Sequence, residues 1–241
     1  MTQPQPAEGF PDWQPAPNIR DDPDLYEVEN QALDPADRLL DAMRDAAPWS
    51  GRRLVDLGCG TGFWLPRYAG DAAQVIGVEP DPVLRTAALA RVTGLPNVEV
   101  VAGSAEHLPL DDASVDVVHA RFAYFWGPGA EPGVEEVRRV LRPGGALVAI
   151  DNDHTDGEFA DLLRGAADAF TARQQPAIDA WWRERGARQI RVRSEWRFPS
   201  PADLAAVLRN EFRGGAADEW LAAHPGRTHI SYGFALYVVA R

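Results

Sequence analysis

The stretch Val55-Asp56-Leu57-Gly58-Cys59-Gly60-Thr61-Gly62 decides the fold. Arg53 to Leu57 read as a short buried strand with an acid near its end. Phe63, Trp64, Leu65 and the residues to Ala69 read as the start of a helix. A strand that runs into alternate glycines and then a helix can turn tightly and let a ligand approach its backbone, because no side chain stands in the way. The amides opening such a helix have no partner within it. The spacing selects the ligand class. A dinucleotide fingerprint, G-x-G-x-x-G, needs its third glycine where Phe63 stands. The order here is G-x-G-x-G. An acidic strand end also suits a cationic ligand better than a pyrophosphate.

Working outward, Gln74-Val75-Ile76-Gly77-Val78-Glu79 is a second strand ending in an acid, about twenty residues past the loop. A carboxylate there can accept hydrogen bonds from both hydroxyls of a ribose. Asp81-Pro82 opens a helix. Val98 to Val101 is a third strand, followed by the loop Ala102 to Pro109, and Ser114 to Arg121 is a fourth. Val137 to Leu141 is helical and leads through Arg142-Pro143-Gly144-Gly145 into a fifth strand, Ala146 to Asp151. This alternation predicts parallel strands, right-handed crossovers and helices on both faces. Strands with consecutive apolar residues, such as Val75 to Val78 and Val115 to Val118, agree with burial on both sides.

Taken together, Arg52 to Asp151 resembles the class I S-adenosylmethionine (SAM)-dependent methyltransferases. The resemblance implies an α/β three-layer sandwich. Its seven-stranded sheet is mostly parallel, with an antiparallel last strand inserted beside the fifth. It implies SAM as cofactor and S-adenosylhomocysteine as product. Carried onto this chain, Asp56, Gly58, Cys59, Gly60 and Gly62 form the cofactor loop. Glu79 meets the ribose and Pro80 lines the adenine. Ser104 and Ala105 are adenine contacts, and the backbone of Arg121 meets the ligand ammonium. Ser104 departs from the acid that many members carry, so it offers a neutral, shorter acceptor. The Arg121 side chain is unusual beside a cation. It turns either to an acid such as Asp151 or to an anionic substrate. Glu106 and His107 read as helical surface, and Cys59 as a small packing residue.

Methyl transfer is an in-line displacement that alignment and desolvation can accelerate. A base is needed only where the acceptor must lose a proton. The mouth of an open α/β sheet lies at the carboxyl ends of its strands. That places Tyr124, Trp126 and Asp151 at the acceptor. Tyr124 and His154 are the catalytic candidates, the latter because imidazole titrates near neutrality. His119, within the fourth strand, reads as a core histidine. Tyr26 resembles the aromatic residue on the arm guarding small-molecule methyltransferases. No metal site is expected, since Asp151 to His154 would need carboxylates from elsewhere.

The 241 residues suit one domain of ordinary size, with 45% hydrophobic residues. Residues 1–24 read as a proline-rich flexible arm, in which Phe10 and Trp13 favour docking over free disorder. Residues 25–241 read as the methyltransferase domain, with 152–228 a helical lid or substrate region that carries the sixth strand. Asp34-Pro35 reads as a helix start. Gln189 to Phe198 alternates as a half-exposed strand, and Ser231 to Ala240 reads as the last strand. Trp181, Trp182 and Trp196 either line the lid or pack in the core.

The net charge of −12 disfavours nucleic acid as partner. Arg183, Arg185, Arg188, Arg191 and Arg193 read as solvated faces partly neutralised by acids. One cysteine, the lack of a signal-like start and the lack of a spanning apolar run suggest a cytoplasmic protein without membrane contact. A monomer or homodimer acting on a small molecule, at oxygen, nitrogen or carbon, is the expectation. Its rivals are a SAM-binding protein without transferase activity, a tRNA or protein methyltransferase, and a nicotinamide dehydrogenase.

Overall fold

The computed structural model describes residues 9–20, 22–165, 170–212 and 215–241. The expectation of a flexible arm therefore lies partly outside the described residues, at 1–8 and 21. Seven strands form one sheet: β1 (Arg53–Leu57), β2 (Gln74–Val78), β3 (Val98–Val101), β4 (Val115–Arg121), β5 (Leu141–Asn152), β6 (Arg188–Arg197) and β7 (His229–Ala240). Their order is β3-β2-β1-β4-β5-β7-β6. The first five are parallel, and β7 lies antiparallel between β5 and β6. This is the expected mixed sheet. Its order reverses at β1, which lies between β2 and β4, and a cleft opens at such a switch point.

Successive residues along each strand enter different cores. Leu54, Val75 and Val117 belong to one, and Val55, Ile76 and Val118 to the other. A period of two with apolar residues on both phases requires cover on both sides. Helices supply it: α3 (Arg38–Ala46), α4 (Leu65–Ala69), α5 (Pro82–Arg91) and α6 (Glu131–Val140) in the first half. In the second half they are α7 (Glu158–Gly165), α8 (Phe170–Glu184), α9 (Pro201–Glu211) and α10 (Ala216–Ala223). Ahead of them all come α1 (Pro17–Arg20) and α2 (Pro23–Ala32).

Trp182 stacks on Tyr237 at 5.2 Å and Trp196 on Tyr232 at 4.9 Å, and Trp181, Trp182 and Trp196 are all buried. These tryptophans are core. The arginine stretch behaves as expected: Arg185 pairs with Glu131, Arg191 with Asp153 and Asp179, and Arg193 with Asp156.

The helix expected at Asp34-Pro35 begins later, at Arg38. Asp34 nevertheless caps it. Its carboxylate accepts from the amides of Arg38 (3.1 Å) and Leu39 (2.7 Å) and from Ser194 Oγ (2.5 Å) on β6. One buried acid thus fixes α3 to the far edge of the sheet. Removing it leaves three donors in a dry site. Asp34→Ala is expected to lower unfolding stability in urea by about 2–3 kcal/mol, with little change in the denaturant slope.

Candidate active site

The glycine loop joins β1 to α4. Gly58, Gly60 and Gly62 have φ of +71°, +56° and +74°, in the left-handed region. Their surroundings differ. A Cβ on Gly58 would lie 2.6 Å from Ala123 Cβ, and one on Gly62 3.0 Å from Ala88 Cβ, whereas one on Gly60 would meet nothing within 4 Å. Gly58 and Gly62 thus permit close packing, and Gly60 borders open space. The amides of Gly58 and Cys59 both donate to the Val78 carbonyl, tying the loop to the end of β2. Cys59 is buried, as a packing residue should be. The helix starts two residues later than expected and is only five residues long, so its dipole contributes little.

Glu79 stands at the end of β2 with 4% of its surface exposed. Its Oε2 accepts from the Gly60 amide at 2.7 Å and its Oε1 from the Asp81 amide at 2.9 Å. Each oxygen keeps a further lone pair for a ligand. Burial pushes its carboxyl up to about 7, against the lowering effect of those two amides. Asp81 caps α5 through Val83 N, leaving its second oxygen buried and without a hydrogen bond. Half-buried Pro80 lies between these two acids.

Asp56 departs from expectation. It is fully buried, and both carboxylate oxygens lack hydrogen-bond partners. It faces Arg121 Nη2 at 3.6 Å. Direct contact with a ligand ammonium is closed to it in this arrangement. Arg121 in turn points inward, with 8% of its side chain exposed and its guanidinium 4.4 Å from the centre of the Trp64 ring. Its acid is therefore Asp56, not Asp151. Burial raises the Asp56 carboxyl and the arginine opposes it. His119 is a core histidine, edge-on to Trp49 at 5.2 Å and pushed down to about 3 by burial. Tyr26, on α2, is half-buried and feels the charge of Arg121.

A second cleft lies at the ends of β4 and β5. Ala123, Phe125, Trp126, Ile150, Asp151 and Tyr237, with Ala120 and Ala149 beneath, line a narrow crevice there, too tight in this arrangement to admit a water-sized molecule. Trp126 stands at its rim with 56% exposure. Asp151 accepts from the Asn152 amide at 2.7 Å, and burial pushes its carboxyl up to about 7. The expected catalytic pair is not brought here. Tyr124 has φ +59°, and its hydroxyl donates to Glu106 Oε1 at 2.6 Å and accepts from Gly133 N at 3.3 Å. It ties the loop after β4 to the loop after β3. Gly133 carries no side chain because the Tyr124 ring occupies that space. His154 is buried with Nδ1 2.8 Å from Gln175 Oε1, and burial lowers its pKa. Gln175 donates to Tyr237 Oη at 2.8 Å, so the histidine lies behind the cleft wall. Among the described residues no group of three or more His, Cys, Asp or Glu side chains could hold a metal ion.

Ser104 and Ala105 are buried in a turn after β3, closed by mutual hydrogen bonds between Ser104 and His107. Glu106 is not helical surface, since it holds Tyr124. The unforeseen residue is Asp12. Its carboxylate, 5% exposed, accepts from Ser104 Oγ at 2.9 Å and from Glu106 N at 3.3 Å. Nothing periodic in the proline-rich arm marks it.

Glycine cradle, paired acids at the ends of neighbouring strands and an apolar second cleft define a class I methyltransferase-type α/β protein. The comparisons agree. Residues 55–149 match the family model described as "Methyltransferase domain". An uncharacterized methyltransferase of Mycobacterium tuberculosis is 41% identical over 109 residues, which cover 44% of this chain and 42% of that protein. The ubiquinone/menaquinone biosynthesis C-methyltransferase UbiE of Rubrivivax gelatinosus is 32% identical over 167 residues, covering 69% and 64%. The crystal structure of a putative methyltransferase from an antibiotic biosynthesis pathway of Anabaena variabilis shares the fold. Its TM-score is 0.61 at 19% identity, covering 87% of this chain and 99% of that one. Residues 55–149 thus match the methyltransferase-domain family model, and the chain shares the fold of solved methyltransferases.

The open space at Gly60, the free lone pairs of Glu79 and the uncapped oxygen of Asp81 fit a nucleoside that carries positive charge. The raised pKa of Glu79 also has a consequence without ligand. Its native value lies above its unfolded one, so its contribution is fully present below about pH 4.5 and is lost as pH rises through about 7. Glu79→Gln is expected to flatten the fall in ligand-free stability between pH 4.5 and 8 by about 2–3 kcal/mol, measured by denaturant titration at each pH.

Proposed function

We propose that the chain transfers a methyl group from SAM to a hydroxylated aromatic ring of a small molecule. The observation that carries this is the neighbouring placement of two sites. One is the Gly60–Glu79 cradle at β1 and β2. The other is the apolar cleft with Asp151 at β4 and β5. SAM, when bound, supplies a methyl carbon already activated by positive sulfur. Glu79 orients the ribose by accepting its hydroxyls, with Gly60 giving the ligand room beside the backbone. Phe125, Trp126, Ile150 and Tyr237 supply the apolar surface against which an acceptor ring would pack once the crevice widens to take it. Asp151 is the proton acceptor. A carboxyl near pH 7 is ionised in part at neutrality and basic enough to take a proton from a phenol-like hydroxyl, which makes the ring more nucleophilic. His154, with Nδ1 on Gln175, is not part of the lining, so the base role goes to Asp151. The name of the Rubrivivax relative, a quinone-pathway C-methyltransferase, supports a ring of this kind. The net charge of −12 weighs against tRNA.

Two measurements test the reading. S-adenosylhomocysteine is expected to raise the melting temperature and NADH is not, with the shift lost in Glu79→Ala. Stabilisation by NADH alone would sink the cofactor assignment. Tritiated SAM is then offered with catechol, 1,4-naphthohydroquinone and an alkylamine. Label is expected in a hydroxyaromatic. Asp151→Asn should lower kcat about 100-fold, leave S-adenosylhomocysteine affinity unchanged and remove the limb in which rate rises with pH through about 7. Cofactor binding without label in any acceptor would favour a binding protein without transferase activity.

A further inference from the structure

The N-terminal arm meets the domain at two points near the cofactor cradle. At one, Asp12 binds the turn after β3 through Ser104 Oγ and Glu106 N. At the other, Arg20 Nε lies 3.6 Å from the buried Oδ2 of Asp81, just beyond the end of β2. The arm therefore spans from the end of β3 to the end of β2. If a ribose meets Glu79 at the end of β2, the neighbouring strand end outward from it is that of β3. Asp12 is at that place.

The chemistry of the β3 turn singles out this residue. A purine amino group is a hydrogen-bond donor and needs an acceptor. Ser104 is neutral, and its hydroxyl hydrogen is directed to Asp12 Oδ1. The Glu106 carboxylate accepts from Tyr124 Oη. His107, 3.6 Å from Asp12, is exposed. Asp12 brings a buried carboxylate with room for about four hydrogen bonds and only two donors on it. A buried carboxylate is costly unless its lone pairs are met. A ligand amine would meet them.

We propose that Asp12 recognises the base of the bound nucleoside, accepting the exocyclic amine of a purine from outside the methyltransferase sheet. This rests on the nucleoside reading of the Gly60–Glu79 cradle. Arg20 has the separate task of holding the arm down.

Calorimetric titration of the full chain with two ligands tests it. One is S-adenosylhomocysteine. The other is its purine riboside analogue, in which hydrogen replaces the 6-amino group. Asp12→Ala should weaken S-adenosylhomocysteine about tenfold or more and leave the analogue within about twofold, so the native preference for the amine collapses. Isosteric Asp12→Asn should fall between, since its carbonyl still accepts without charge. Arg20→Ala should weaken both ligands alike. Equal weakening of both ligands by Asp12→Ala, or an undiminished preference for the amine, overturns the assignment. If the native chain binds neither ligand, the nucleoside reading itself falls, and Asp12 with it. Ligand-free melting temperatures of each variant separate these effects from loss of folding.

Discussion

One carboxylate joins the parts of the cofactor cleft. Glu79 accepts from Gly60 with one oxygen and from Asp81 with the other. The first bond fixes the loop after β1 and the second fixes the turn into α5, so two crossovers are pinned to one side chain. The pair of Val78 hydrogen bonds to Gly58 and Cys59 repeats the tie through the backbone. A carboxylate in so dry a place is held against its own desolvation, and burial outweighs both amides in setting its pKa. That imbalance is useful in a binding site. Hydroxyl donors from a ligand stabilise the charged form that the empty protein disfavours.

The glycine loop is preorganised by a different means. Asp56 and Arg121 lie beneath it, buried face to face, with Trp64 over the guanidinium. Replacing one member alone would strand the other charge in a low-dielectric interior. The pair therefore acts as a unit that locks the end of β4 to the end of β1. It also removes Arg121's charge from the path of a cationic ligand, which explains how an arginine is tolerated there.

Much of the fold was legible because its signals are local. Strand periodicity, the glycine spacing and the Arg142-Pro143-Gly144-Gly145 turn each sit within a few residues, and the seven-stranded sheet follows from them with the resemblance. Boundaries were less legible. Asp34 looked like the first cap of α3 but acts from four residues away, because Pro35 to Asp37 form a turn before the helix. Side-chain roles that depend on remote partners were the least legible. Tyr124 read as a pocket aromatic, and the partners of its hydroxyl, Glu106 and Gly133, had no mark in the sequence; nor had Gln175, which meets Nδ1 of His154. Both are long-range contacts with no sequence spacing to mark them.

The arm shows why position in the chain is a poor guide to position in the site. A proline-rich stretch cannot build a core of its own and reads as tail. Yet two contacts, the buried Asp12 carboxylate at the β3 turn and the exposed Arg20 facing Asp81, join it to the domain near the ends of β3 and β2. Each contact also meets a polar group at the edge of the cleft. The carboxylate within the Ser104 turn, Glu106, is taken by Tyr124, and Asp81 has an oxygen without a hydrogen-bond donor. The domain thus presents one neutral and one over-acidic edge to the same cleft. An arm carrying an acid and then a base, eight residues apart in number, matches both edges in order.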